Sequence, residues 1–387
     1  MVFQDHSPLP IFKPGVFNED EKEKERGTML SEKESRGNVI VVFGGGLVDP
    51  AKFIVMGIAR SLKRWADFEK VFTGLYSFES LYTRELWLEY SEELEEYTKD
   101  KRGSFFGTCR GIDLTQEPLK SRMLETLKGE KISTVVVVGG DGSTRNAAEI
   151  DEFLQENGIC VVYGMPLTVD GINGGKVIGR RQAARESIRQ IENIASASLQ
   201  TRDSEKYGVV IVELQGRNRD DILARVVSYF HERKEIADFR LDDILLIAIP
   251  ATLKTNSEDL LETVKNSEKR TLILLSEGAS TKVDKLAWLI QEYGETTRKV
   301  RVLVVGHPSQ CNNQTTPDDR IEYGRWIDFV VKAILENPGK SFSTSLSEEG
   351  EYSVRPLDYY AKLNPRSIQI AELPPEEVEI VRHYMVL

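Results

Sequence analysis

The stretch Val135-Val136-Val137-Val138-Gly139-Gly140-Asp141-Gly142-Ser143 constrains this chain more than any other. Four β-branched apolar residues in a row predict a strand buried on both faces, as in parallel sheets. Two glycines, an aspartate and a third glycine break the run. Thr144 to Leu154 then has helical composition, with Ser143 or Thr144 as the expected N-cap. Open α/β sheets bind ligands where a strand ends and a helix opens over its carboxyl edge. Free N–H groups and the helix dipole there favour an anion such as phosphate. Phosphate would repel Asp141 unless a cation lies between them, and Mg2+ suits the place because it takes oxygen ligands and bridges phosphates. The plainer reading of the same residues is a tight turn with Asp141 as a cap.

The 387 residues suffice for two domains or one large two-lobed domain. A net charge of −11 argues against a nucleic-acid binder or a protein of anionic membrane surfaces, so any anion must be held by a local basic cluster. Cys109, Cys160 and Cys311 show neither metal-ligand spacing nor an even disulfide framework, which fits a reducing cytoplasm. No apolar run approaches the roughly 20 residues that span a bilayer, and the N-terminus lacks the apolar core of a signal peptide.

In chain order, residues 1–36 carry Pro8, Pro10 and Pro14 and then a mixed-charge run, the composition of a flexible extension. Val39 to Phe43 predicts a buried strand, Gly44-Gly45-Gly46 a second glycine-rich turn suited to phosphate, and Pro50 to Trp65 a helix. Helices are expected over Leu86 to Tyr97 and over 117–129, and a glycine-flanked loop ends at Arg110. Cys160 to Pro166 predicts a strand that leads into the loop 167–175. Lys176 to Leu199 predicts a helix whose Ile188, Ile191, Ala195 and Leu199 mark a buried face. Arg180, Arg181, Arg185 and Arg189 on that helix form either a solvated face or a reception for an anionic substrate. Strands follow at 209–214, 244–250, 270–275 and 300–305, and helices at 221–233 and 320–335. This alternation predicts an α/β fold of mostly parallel sheets flanked by helices. Several of the strands end in glycine beside a polar residue, the trace of a site at their carboxyl ends. The tail beyond Gly339 shows no chemistry.

The order of these turns resembles the phosphofructokinase family. VVVVGGDGS resembles its strand and G-G-D-[GD]-S loop, GTCR at 107–110 its G-T-x-R loop, and MPLTVDG at 165–171 its P-x-T-I-D-N-D loop. VELQGR at 212–217, LLSEGA at 274–279 and RVLVVGH at 301–307 resemble V-E-V-M-G-R, the strand ending in S-E-G, and R-x-T-V-L-G-H. The resemblance implies a two-lobed kinase fold. Residues 37–180 with 308–340 would form the nucleotide or phosphate-donor lobe, 181–307 the sugar-phosphate lobe, and 341–387 a tail packing on the lobes. It implies phosphoryl transfer from ATP, or pyrophosphate, to fructose 6-phosphate or a related sugar phosphate with Mg2+. Asp170 would be the general base on the sugar hydroxyl, and Thr168 would sit beside the sugar and the transferred phosphate. Asp141 would hold the metal. Gly44, Gly45, Arg110, Gly140, Gly142 and Ser143 would face the donor. Gly216, Arg217, Glu277, Arg301 and His307 would face the sugar phosphate. In the family part of that site comes from a neighbouring subunit, here through Arg301, which implies a homo-oligomer, dimer or tetramer, or a hetero-oligomer with a paralogue.

Gly142 favours ATP, because pyrophosphate-using members usually carry aspartate there and would repel a nucleotide's α-phosphate. Their other marker, a lysine between proline and threonine, is Leu167 here. Elsewhere the chain departs from the pattern. The first loop, G-G-D-x-x-G in the family, reads Gly44-Gly45-Gly46-Leu47-Val48-Asp49. The second aspartate of T-I-D-N-D is missing. Gly208 stands where a basic residue is usual, and Ser309-Gln310-Cys311-Asn312 replaces Q-R-G-G. Each lost charge-assisted contact costs roughly 1.5–3 kcal/mol, so two missing cations weaken fructose 6-phosphate binding unless Arg180 and Arg181 substitute or the acceptor differs. Three readings stay open: an active sugar-phosphate kinase, a weak or inactive paralogue serving as a regulatory subunit, and a related G-G-D-G kinase acting on NAD or a lipid.

Overall fold

The buried β-branched runs become strands throughout. A computed structural model describes residues 36–46, 48–99, 101, 104–109, 111–169, 177–200, 202–203, 206–217, 219–251, 257–292, 299–306, 315–347, 350–362 and 373–385. They fall into two units. One lies within Met1–Thr168, Ile172–Val177 and Asn313–Asn364; the other within Val169–Gly171, Ile178–Asn312 and Pro365–Leu387. The extension expected over 1–36 lies outside the described residues except for Arg36.

The first unit begins with β1 (Asn38–Phe43), α1 (Val48–Trp65), β2 (Val71–Gly74) and β3 (Trp87–Glu89). It continues through α2 (Glu92–Lys99), α3 (Glu117–Gly129), β4 (Ile132–Gly139), α4 (Asp141–Glu156) and β5 (Cys160–Pro166). The second unit carries α5 (Arg180–Ser198), β6 (Val209–Leu214), α6 (Asp221–Arg233), β7 (Ile244–Ile249) and α7 (Ser257–Asn266). It adds β8 (Arg270–Ser276), α8 (Val283–Glu292) and β9 (Val300–Val304). The chain returns to the first unit with α9 (Pro317–Glu336), β10 (Phe342–Leu346) and β11 (Tyr352–Arg355), and α10 (Pro375–His383) closes the second.

The sheet of the first unit runs β11-β10-β5-β4-β1-β2-β3. Its five inner strands are parallel, and β3 and β11 close the edges antiparallel. Both faces are buried: β1 is covered along its whole length and β4 nearly so. Val135, Val137, Val161 and Tyr163 share a core with Ala147, Ile150 and Leu154 of α4. The second sheet is all parallel, in the order β7-β8-β6-β9.

Leu86 to Tyr97 and the start of α5 differ from expectation. Leu86 to Tyr97 is not one helix but β3 followed by α2. Trp87 is buried and pairs with Gly74, and the Ser91 hydroxyl accepts from the Leu94 N–H (3.1 Å), so a new helix starts there. Helix α5 starts at Arg180, behind non-helical Val177–Gly179, with Gly179 at φ +130°. Among the described residues no helix is long and apolar enough to cross a membrane.

Candidate active site

Three loops converge at the carboxyl ends of β1, β4 and β5. From β1 the chain moves to β2 on one side, and from β4 to β5 on the other. The topology therefore reverses between β1 and β4, where open sheets bind ligands. Register sets the loops side by side, Phe43 against Val138 and Gly139 against Pro166. The Gly44 N–H donates to the Val138 carbonyl and the Leu167 N–H to the Gly139 carbonyl, both at 2.8 Å. A Cβ on Gly46, which has φ +106°, would lie 1.9 Å from the Leu167 carbonyl oxygen, so only glycine lets the first and third loops touch. Ser143 is buried, and its Oγ fills the space where a Cβ on Gly44 or Gly139 would stand (2.1 and 2.3 Å away). A Cβ built on Gly45 would lie 3.8 Å from the Thr108 methyl group, and Thr168 is buried with its Cβ 3.5 Å from a Cβ built on Gly140.

Helix α4 starts at Asp141, earlier than composition suggests, with Gly140 rather than Ser143 or Thr144 at its N-cap and no side-chain cap. The Gly140 carbonyl accepts from the Ser143 and Thr144 N–H groups at 3.0 and 3.3 Å, and the Thr144 hydroxyl donates back to the Asp141 carbonyl at 2.7 Å. Among the described residues the N–H groups of Gly140, Asp141 and Gly142 meet no protein acceptor. Among the described residues nothing stands within 4 Å of a Cβ on Gly142. A crown of backbone donors with open space over it suits the oxygens of a phosphate. Asp141 is half-exposed, with Oδ2 3.4 Å from the Arg145 guanidinium. Among the described residues no group of three or more His, Cys, Asp or Glu forms a ready-made metal cage. A single carboxylate fits Mg2+ held jointly with substrate phosphates and water.

In the second unit the strand ends carry another cluster. The Glu277 carboxylate, just past β8, accepts from the Gly216 N–H (3.2 Å) and the Arg217 N–H (2.9 Å) through the same oxygen. This holds the turn after β6 in a left-handed conformation, Gly216 at φ +128° and exposed Arg217 at φ +48°. Arg301 is not brought to this cluster. It lies on β9 opposite Val210 of β6, three residues short of the strand end at Val304, or about 10 Å along the strand. Asp170, Arg110 and His307 lie outside the described residues.

Arg180 is not part of a solvated face. Its guanidinium pairs with buried Asp221 at 2.9 Å, and Arg219 approaches the same carboxylate at 3.4 Å. Burial alone would raise the Asp221 carboxyl, but the two guanidiniums outweigh it and hold it below the usual aspartate range. Arg189 pairs with Glu186 on its own helix. Sequence reading also missed Asp220, whose buried carboxylate accepts from the Ala251 N–H (2.6 Å) and the Ser276 hydroxyl (2.8 Å). It ties the ends of β7 and β8 to the start of α6. Two adjacent aspartates beside the Gln215-Gly216-Arg217 turn were the only signal for it.

The phosphofructokinase family model matches residues 38–333, from the first residue of β1 to within α9. This chain belongs to the phosphofructokinase family. Solved structures with the same fold include the pyrophosphate-dependent phosphofructokinases of Nitrosospira multiformis and Marinobacter aquaeolei. The first has TM-score 0.70 and 13% identity over 90% of this chain and 92% of that one. The second has TM-score 0.67 and 16% identity over 91% and 92%. Phosphofructokinase from Pichia pastoris matches at TM-score 0.66 and 18% identity over 92% of this chain but only 42% of its own length. At such identities the likeness establishes the phosphofructokinase fold. Leu167, where pyrophosphate-using members carry lysine, is fully buried in the core.

Proposed function

We propose that this phosphofructokinase-family chain transfers the γ-phosphoryl group of ATP to fructose 6-phosphate or a related sugar phosphate, with Mg2+. The observation that carries the reading is the open crown of N–H groups at Gly140–Gly142, at the switch point of the sheet and beside the Asp141 carboxylate. Gly44, Gly45, Arg110 and Ser143 complete the donor site, with Gly45 and Ser143 shaping it rather than charging it. Asp141 would hold Mg2+, and the ion would supply positive charge for the transferred phosphoryl oxygens. The sugar hydroxyl oxygen bonds to the γ-phosphorus as the bond to ADP breaks, and Asp170 takes the hydroxyl proton, with Thr168 alongside. The first unit is the donor lobe and the second the sugar-phosphate lobe, binding through Gly216, Arg217 and His307. Glu277 anchors the 216–217 turn. Arg301 completes the site of a neighbouring copy, which makes the active form an oligomer. The cysteine pattern supports a cytoplasmic protein.

A second reading has its own support. The first loop lacks the family's aspartate, which favours a weak or inactive paralogue regulating a partner. The pyrophosphate alternative draws on the described activity of two similar folds, against the glycine at 142. A coupled assay on the purified protein tests the proposal by comparing wild type with Asp170→Ser. The variant is expected to lose activity by roughly 10²–10⁴-fold. Equal turnover would remove Asp170 from its role, and a silent wild type would favour the regulatory reading.

A further inference from the structure

Tyr163 is fully buried beneath the loop 139–143 and takes no part in the chemistry proposed for it. Its position comes from an irregularity in β5. The register against β4 shifts so that Val137 faces Tyr163 while Val138 faces Met165, leaving Gly164 as an extra residue. A bulge re-aims the neighbouring side chain. This one is anchored from β10, where the Thr344 hydroxyl donates to the Gly164 carbonyl and itself accepts from Trp326 Nε1 at 3.1 Å. The Tyr163 hydroxyl then donates to the Gly139 carbonyl, which also accepts from the Leu167 N–H at 2.8 Å. Burial raises the Tyr163 phenol well above its ordinary value, so it remains a donor at every working pH.

A trans peptide is planar, and its C=O and N–H point in opposite directions. Two donors from the protein side fix the Gly139 carbonyl and thereby fix the Gly140 N–H facing away from them, with no protein acceptor among the described residues. We propose that Tyr163 is a positioning residue for the phosphoryl donor: with Leu167 it locks the Gly139–Gly140 peptide so that the Gly140 N–H is presented to a donor phosphate. This rests on the reading of 139–143 as the donor site. Tyr163 precedes the MPLTVDG stretch by two residues and stands outside it.

The test compares Tyr163→Phe with Tyr360→Phe. Tyr360 packs on Tyr163 with ring centroids 5.6 Å apart, and its hydroxyl donates to the Thr344 carbonyl at 2.9 Å, so it loses a buried hydrogen bond of the same core without touching the loop. Titration calorimetry measures binding of Mg·ATP and of Mg·pyrophosphate, and steady-state kinetics measures KM for fructose 6-phosphate. Tyr163→Phe is expected to weaken binding of the donor by about tenfold, the scale of one net hydrogen bond, with the sugar-phosphate KM unchanged. Tyr360→Phe is expected to lower Tm to a similar extent and leave donor affinity alone. Equal donor affinity in wild type and Tyr163→Phe would overturn the inference. So would equal weakening by both variants, or failure of Tyr163→Phe alone to fold, since either makes the hydroxyl a general support of the core. A wild type that binds neither donor would overturn the donor-site reading itself, and the inference with it.

Discussion

At position 46 the backbone alone decides the residue. An L side chain in the left-handed region costs roughly 1–2 kcal/mol, and a Cβ there would also displace the Leu167 carbonyl. Gly46→Ala is expected to lower Tm and to separate the first and third loops, read by calorimetry and by lost donor binding. Gly142 is the opposite case, because a Cβ there meets none of the described residues within 4 Å. Gly142→Asp is expected to keep the wild-type Tm while weakening ATP relative to pyrophosphate; unchanged donor preference would show that residue 142 does not select the donor. The glycines and aspartate of 139–142 were legible in the sequence because backbone geometry and charge leave few other uses for them. Ser143 was legible only as a polar residue beside them. That its hydroxyl fills the space under Gly44 and Gly139 depends on β1 and β4 being neighbours, which residue spacing does not encode.

Elements were legible where burial is apolar. β4, β5 and β6 announce themselves as valine-rich runs. β10 does not: Phe342-Ser343-Thr344-Ser345-Leu346 is buried throughout, yet three of its five residues are hydroxylic. Each finds a partner, Ser343 on the Pro356 carbonyl, Thr344 on Gly164 and Ser345 on Ser353. Such pairing is set by tertiary neighbours, so a segment that reads as a featureless tail becomes a strand. The role of Arg180 was hidden for a related reason. Arg180 reads as an exposed cation until α6 brings Asp221 against it. Removing one side of a buried ion pair costs about 3–5 kcal/mol, and Asp221→Asn is expected to lose that much in urea unfolding. The Asp221 carboxyl is depressed in the folded state, so its contribution is full above the ordinary aspartate pKa of about 3.9. It fades as pH falls through the lower folded value, so the stability gap between wild type and variant should narrow on acidification. A gap independent of pH would mean that the variant loses packing rather than charge pairing.

At the scale of the whole molecule, β9 is an outer strand of the second sheet among the described residues. β9 leaves Val302 and Val304 exposed at 38% and 50%, with Arg301 on the same strand and away from its own unit's Glu277 cluster. An exposed apolar edge strand is a surface that a neighbouring chain covers. Sedimentation is expected to show a dimer or larger, and Val304→Lys to shift it toward monomer and weaken sugar-phosphate binding. A wild-type monomer with full activity would remove Arg301 from the proposed site. The central claim is phosphoryl transfer itself, and ³¹P NMR follows it most directly. Purified protein is mixed with fructose 6-phosphate, Mg2+ and equimolar ATP and pyrophosphate in one tube. Loss of the ATP γ-phosphorus signal, with a new sugar-phosphate resonance and pyrophosphate untouched, is the predicted result. Consumption of pyrophosphate alone would contradict the assignment of the donor, and no consumption of either would contradict the account of this chain as an active phosphotransferase.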